Sequence, residues 1–122
     1  MKRDFDLIRK IVIAIAAEPA GSGYFSVSFP DEYDNPTVYE HIEMLIEAGL
    51  VEGEVSRSID MGITGIAIRG LTWAGHDFLD SIKDDTIWQK AKTTILKPTV
   101  SFTFSLFLEW LKAEAKAKLG IL

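Results

Sequence analysis

Residues 35–57 read NPTVYEHIEMLIEAGLVEGEVSR. Asn35-Pro36 is a helix start: a capping side chain, then proline at the first helical position, where its missing N–H costs nothing. Val38, Ile42, Leu45 and Ile46 recur at helical spacing and give an apolar face to a helix over 36–48. Gly49 supplies the left-handed residue that closes such a helix, and Leu50 is placed to fold back on its last turn. Leu50 also opens a β-prone run, 50–57, answered by a second at 63–69. Residues 58–62 form the turn between them, with Gly62 and Gly65 permitting tight or bulged backbone. A helix thus closes and runs directly into a two-stranded hairpin.

Upstream, Asp4 is a capping side chain, and Ile8, Ile11, Val12 and Ile15 predict an amphipathic helix over 4–17. Pro19, Gly21 and Gly23 end it. Phe25, Val27 and Phe29 alternate with Ser26 and Ser28, which predicts a short strand over 24–29 with one buried face. Residues 30–34 form a polar connector of at most one helical turn. Downstream, Thr72 caps a helix whose inner face carries Phe78, Leu79 and Ile82. Residues 84–86 open another, packed through Ile87, Trp88, Ala91 and Ile95. Pro98 breaks the chain, and a last helix runs over about 101–119 to Gly120. The expected division is a core with its following helices over 1–97 and a C-terminal interaction helix over 98–122.

The predicted class is α+β, mostly α. Helix, strand, turn, helix and hairpin in that order give a winged-helix core with a small β-wing and extra C-terminal helices. HIEMLIEAGLVEGE (41–54) resembles a winged-helix recognition helix leading into its wing. GLTWAGHDFL (70–79) resembles the Leu-Thr-x-x-Gly segment that follows the wing in many bacterial regulators. MKRDFDLIRK (1–10), LTWAGHDFLDSIKDDTIWQKAK (71–92) and LEWLKAEAKAKLG (108–120) resemble the bacterial and phage family known as domain of unknown function 2513. The resemblance spans nearly the whole chain. It implies a phage or prophage setting and a winged-helix core, and no particular activity. Residues 30–34 are too few for a full second helix, which weighs against standard helix-turn-helix docking on DNA.

The chain has 122 residues and no cysteine, which excludes disulfides and thiolate metal sites. Two aspartates within the first six residues exclude a secretory signal, and no apolar run reaches the roughly 20 residues of a spanning helix. The expectation is a cytoplasmic protein of the bacterial host, without membrane association. Gly62-Ile63-Thr64-Gly65 lacks the lysine and following helix of a phosphate loop. Neither histidine, His41 or His76, has metal-ligand spacing. The expectation is therefore no enzyme, no metal and no cofactor. His76 reads as a partly buried structural imidazole.

Charge is unevenly placed. From Glu18 to Asp85 fourteen acids accompany three bases, Arg57, Arg69 and Lys83. The rest of the chain holds ten bases and four acids. Glu40, Glu43 and Glu47 form a stripe on the polar side of helix 36–48, the helix that would face phosphates in a DNA reader. Such a stripe repels a polyanion and suits a protein partner, of host or phage origin. The alternative is a DNA-binding transcriptional regulator using helix 36–48 and the wing, with Tyr39, His41, Arg57 and Arg69 as contacts. In the last helix Phe104, Phe107, Leu108 and Leu111 make one apolar stripe, while Phe102, Leu106 and Trp110 make a second. A helix apolar on two sides needs two partners, so Phe104, Phe107, Leu108, Trp110 and Leu111 are the expected interface of a homodimer. Trp88 is expected in the core and Trp73 against the wing.

Overall fold

Asp4 starts the first helix, α1 (Phe5–Ala17): its Oδ1 accepts the Leu7 N–H at 3.1 Å. This is an N-cap, typically worth about 1 kcal/mol. Leu7, Ile8, Ile11, Val12 and Ile15 form the buried face of α1. The computed structural model describes residues 1–120. Its further elements are α2 (Asn35–Glu47), β1 (Val51–Ser58), β2 (Gly62–Leu71), α3 (Trp73–Ile82), α4 (Asp85–Thr93) and α5 (Phe104–Lys118). The protein is α+β and mostly helical. It packs as two compact units, Met1–His76 and Asp77–Leu122. The division expected after residue 97 falls inside the second unit.

In the first unit, α2 begins one residue earlier than the sequence suggests. Asp34, not Asn35, is the cap, accepting the Thr37 N–H at 2.8 Å, and Pro36 lies inside the first turn. Hydrogen bonding from Thr37 holds the Asp34 carboxyl below its ordinary pKa. The end of α2 is a Schellman motif. Gly49, at φ 79°, donates to the Ile46 carbonyl, and Leu50 donates to that of Leu45 at 2.9 Å. The strands are antiparallel, with bulges between Glu52 and Gly53 and between Ser56 and Arg57. Val38, Ile42, Leu45, Leu50, Val51, Ile66 and Ile68 are buried. Each contributes about 1.5–3 kcal/mol by leaving water.

The predicted strand 24–29 reduces to one bridge. Phe25 and Ile68 exchange backbone hydrogen bonds at 3.0 and 2.7 Å. The Phe29 carbonyl is taken by the Glu32 and Tyr33 N–H groups of the following turn. Pro30 follows directly, and the chain enters this turn instead of continuing along β2. Side-chain alternation survives: Phe25, Val27 and Phe29 are half-buried, Ser26 and Ser28 exposed.

In the second unit, Asp84 caps α4 through the Ile87 N–H at 3.0 Å, and Ile87, Trp88 and Ala91 are buried. Thr103 caps α5 through the Leu106 N–H, so the last helix starts later than position 101. Phe107 sits among the rings of Phe78, Trp88, Phe102 and Phe104, with centroids 6.1–6.5 Å away.

Candidate interaction surface

Helix α2 buries Val38, His41, Ile42 and Leu45 and turns Glu40 and Glu47 to solvent. Between those two, Glu43 is half-buried because β1 brings Arg57 against it. Arg57 Nη1 donates to Glu43 Oε2 at 2.5 Å and Nη2 to Oε1 at 2.7 Å. This bidentate fork is the strongest geometry a guanidinium can make with one carboxylate. The Glu43 hydrogen bond raises the Arg57 pKa, and the fields of Glu43, Glu40 and Glu47 raise it further. The face shared by α2 and the hairpin thus carries a cation already satisfied by the protein. Glu52 and Glu54 of β1 are exposed as well, on the side of the strand opposite Val51 and Gly53.

Of the four residues expected to touch DNA, one is buried and one is held in an ion pair. His41 has no accessible surface. Its Nε2 accepts the Asp4 N–H at 2.9 Å, and its Nδ1–H donates to the Thr37 carbonyl at 2.8 Å. The signal was present: His41 stands three residues after Val38 and four before Leu45, on the apolar face. Arg57 is committed to Glu43. Tyr39 is half-buried and Arg69 is exposed. The structure brings none of these four into one basic patch.

His41 instead belongs to a small structural knot. Asp4 caps α1 with Oδ1, accepts the Tyr33 hydroxyl on Oδ2 at 3.0 Å, and gives its N–H to His41. Burial, then the hydrogen bond and charge of Asp4, push the Tyr33 pKa up to about 12. The knot ties the start of α1 to the 30–34 turn and to α2.

The turn of the β1–β2 hairpin carries an apolar tip that the sequence reading passed over. Ile59 is wholly exposed and Met61 is 79% exposed. The Met61 N–H donates to Ser58 Oγ at 2.9 Å, which fixes the turn. Exposed isoleucine and methionine flanking Asp60 present apolar area inside an acidic surround.

The residues expected at an α5 interface differ in their exposure. Phe107 and Leu111 are buried within their own unit, Phe107 among aromatic side chains. Phe104, Leu108 and Trp110 are half-buried. Leu106, in the first turn of α5, is exposed. Lys118 pairs with Asp84, and Lys90 with Glu114 at 3.0 Å, so part of the basic C-terminal charge is spent within the unit. Trp88 is core, as expected. Trp73 does not pack on the wing; it is 90% exposed. His76 is exposed rather than partly buried.

Among the described residues no cluster of His, Cys, Asp and Glu could hold a metal ion, and no helix is long and apolar enough to cross a membrane.

A profile of the family described as "Hypothetical protein (DUF2513)" matches residues 2–101. The chain is also similar to an uncharacterized protein of Haemophilus influenzae, with 37% identity over 95 residues, 78% of this chain and 79% of the relative. No solved structure matches it.

Proposed function

The chain belongs to the domain-of-unknown-function 2513 family, and from that premise we propose a winged-helix accessory protein of phage or prophage type that acts by binding another protein. The winged-helix reading is supported by the order of elements: α2, a Schellman close, an antiparallel hairpin, and a capped helix directly after it. The bacterial cytoplasm is the compartment we assign to it. The observation that carries the interaction reading is the Arg57–Glu43 fork. It ties up the charge of the hairpin's exposed arginine with Glu43 and leaves Glu40 and Glu47 of α2 facing solvent without a cation beside them. Such a face suits a basic protein surface, and its charge steers that encounter.

The competing reading is a DNA-binding regulator using α2 and the wing. Duplex binding needs phosphates to meet free cations, whose counterion release drives affinity. Here the candidate cations are buried, paired or isolated. Self-association through α5 stays in the proposal in narrowed form, on Leu106 with Trp110 one turn on.

The test has two arms. A duplex-DNA column at low salt should not retain the protein. A pull-down from host lysate should recover a partner that is lost when Glu40 and Glu47 become lysine. Salt-sensitive retention on DNA, abolished by Arg69→Ala, would reverse the order of the two readings.

A further inference from the structure

The first unit contains a cleft of about 200 Å³ that none of the above uses. Ile15, Phe25 and Leu71 supply its apolar lining, while Glu18, Arg69 and His76 supply its charged and polar lining. Its loop wall is ordered: Ser22 Oγ donates to the Pro19 carbonyl at 2.6 Å, and Gly21 and Gly23 take the positive φ values that the turn requires.

The lining carries charges of both signs. One part of it is the end of α1. Its last carbonyls carry the negative end of the helix dipole, its last turn holds no basic residue, and Glu18 follows as the C-cap. Arg69 and, near the start of α3, His76 line the same cleft. The first turn of α3 holds no acid to offset its positive end. Among the described residues neither Glu18 nor Arg69 makes an ion pair, with the other or elsewhere. A cation and an anion that share a cleft without meeting each other are complementary to a ligand carrying both charges. Pockets for drug-sized molecules span about 300–1,000 Å³, so this one suits only a few heavy atoms.

We infer that the cleft binds a free α-amino acid with a small branched apolar side chain. The carboxylate meets the Arg69 guanidinium, with a His76 ring N–H beside it. The ammonium meets Glu18 and the free carbonyls at the end of α1. The side chain lies over Ile15, Phe25 and Leu71.

The test is titration of the full ¹⁵N-labelled chain with L-leucine, 4-methylpentanoate and 3-methylbutylamine, which keep both charges, the negative one and the positive one. L-leucine should shift the amides of Gly21, Gly23, Arg69 and His76 saturably. Each singly charged analogue should bind at least about tenfold more weakly. Glu18→Gln and Arg69→Gln, both at exposed positions, should each weaken L-leucine by a similar factor at unchanged melting temperature. Three outcomes overturn the inference: no saturable shift with L-leucine; 4-methylpentanoate binding as well as L-leucine, which would make this a simple anion cleft; or Glu18→Gln leaving the affinity unchanged.

Discussion

Thr72 donates its hydroxyl to the carbonyl of Gly49 at 2.6 Å, joining the residue after β2 to the residue that closes α2. Three further details share the junction. The Thr72 N–H donates to the Leu50 carbonyl at 3.1 Å. The same hydroxyl oxygen accepts the Gly75 N–H at 3.0 Å, capping α3. The Gly75 α-carbon lies so close to Leu50 that a Cβ there would be 2.0 Å from the Leu50 oxygen. Ala-Gly-Leu at 48–50 and Leu-Thr-x-x-Gly at 71–75 are therefore two halves of one joint.

Gly75→Ala should destabilise the protein by about 3 kcal/mol, the upper part of the range for overpacking, because the obstacle is backbone rather than a movable side chain. Thr72→Ala loses the cap and the Gly49 bond and should cost about 1–2 kcal/mol. Urea unfolding measures both as a lower midpoint at unchanged slope. Parent-like stability of Gly75→Ala would mean that α3 can stand away from Leu50 without loss.

The Asp4–Tyr33 bond predicts a specific alkaline response. The folded state holds the Tyr33 proton with a pKa of about 12, against 10.0 for the free side chain. A raised folded pKa contributes stability that is complete below pH 10 and lost as pH rises towards 12. Tyr33→Phe should cost about 1 kcal/mol at neutral pH, the worth of one hydrogen bond. It should also flatten the fall in melting temperature across that alkaline window. An equally steep fall in Tyr33→Phe would assign the alkaline loss to other groups.

Much of this fold was legible because its signals are local. Caps at Asp4, Thr72 and Asp84, the Gly49 close and the helical spacing of apolar residues each act within one or two turns. What escaped depends on partners far along the chain. The 24–29 segment has strand alternation, but whether it pairs is decided at Ile68 and by the turn that takes the Phe29 carbonyl. Arg57 looks like a free wing cation until Glu43, fourteen residues earlier, is placed opposite it. Ile59 and Met61 look like ordinary hairpin residues, since exposure at a turn leaves no mark in periodicity. Phe107 shows the limit of reading two apolar stripes as two interfaces. One unit can wrap aromatic side chains around a helix from several directions.

Phe107 and Leu106 should accordingly separate stability from association. Phe107→Ala leaves a cavity among four aromatic rings and should cost about 3–5 kcal/mol, read by thermal unfolding. Leu106→Asp lies on the open side of α5 and should leave the melting temperature nearly unchanged. If α5 mediates self-association, Leu106→Asp lowers the mass seen by light scattering, whereas a wild-type chain that is already monomeric removes that interface.

The Arg57–Glu43 fork makes a last prediction about what suppresses nucleic-acid binding on this face. If charge alone is responsible, Arg57→Ala in the parent should not weaken any residual DNA affinity, because the guanidinium is already held by Glu43. Replacing Glu40, Glu43 and Glu47 together by glutamine frees Arg57 and removes three repelling charges from α2. That triple variant should gain retention on duplex DNA that falls with added salt, and lose affinity for polylysine, which the parent should bind at low salt. Double-logarithmic salt slopes count the phosphates engaged, since each contributes close to one unit. A triple variant that still ignores DNA would mean that shape as well as charge excludes the duplex. The short 30–34 turn, standing where a reader of DNA carries a helix, would then be the feature responsible.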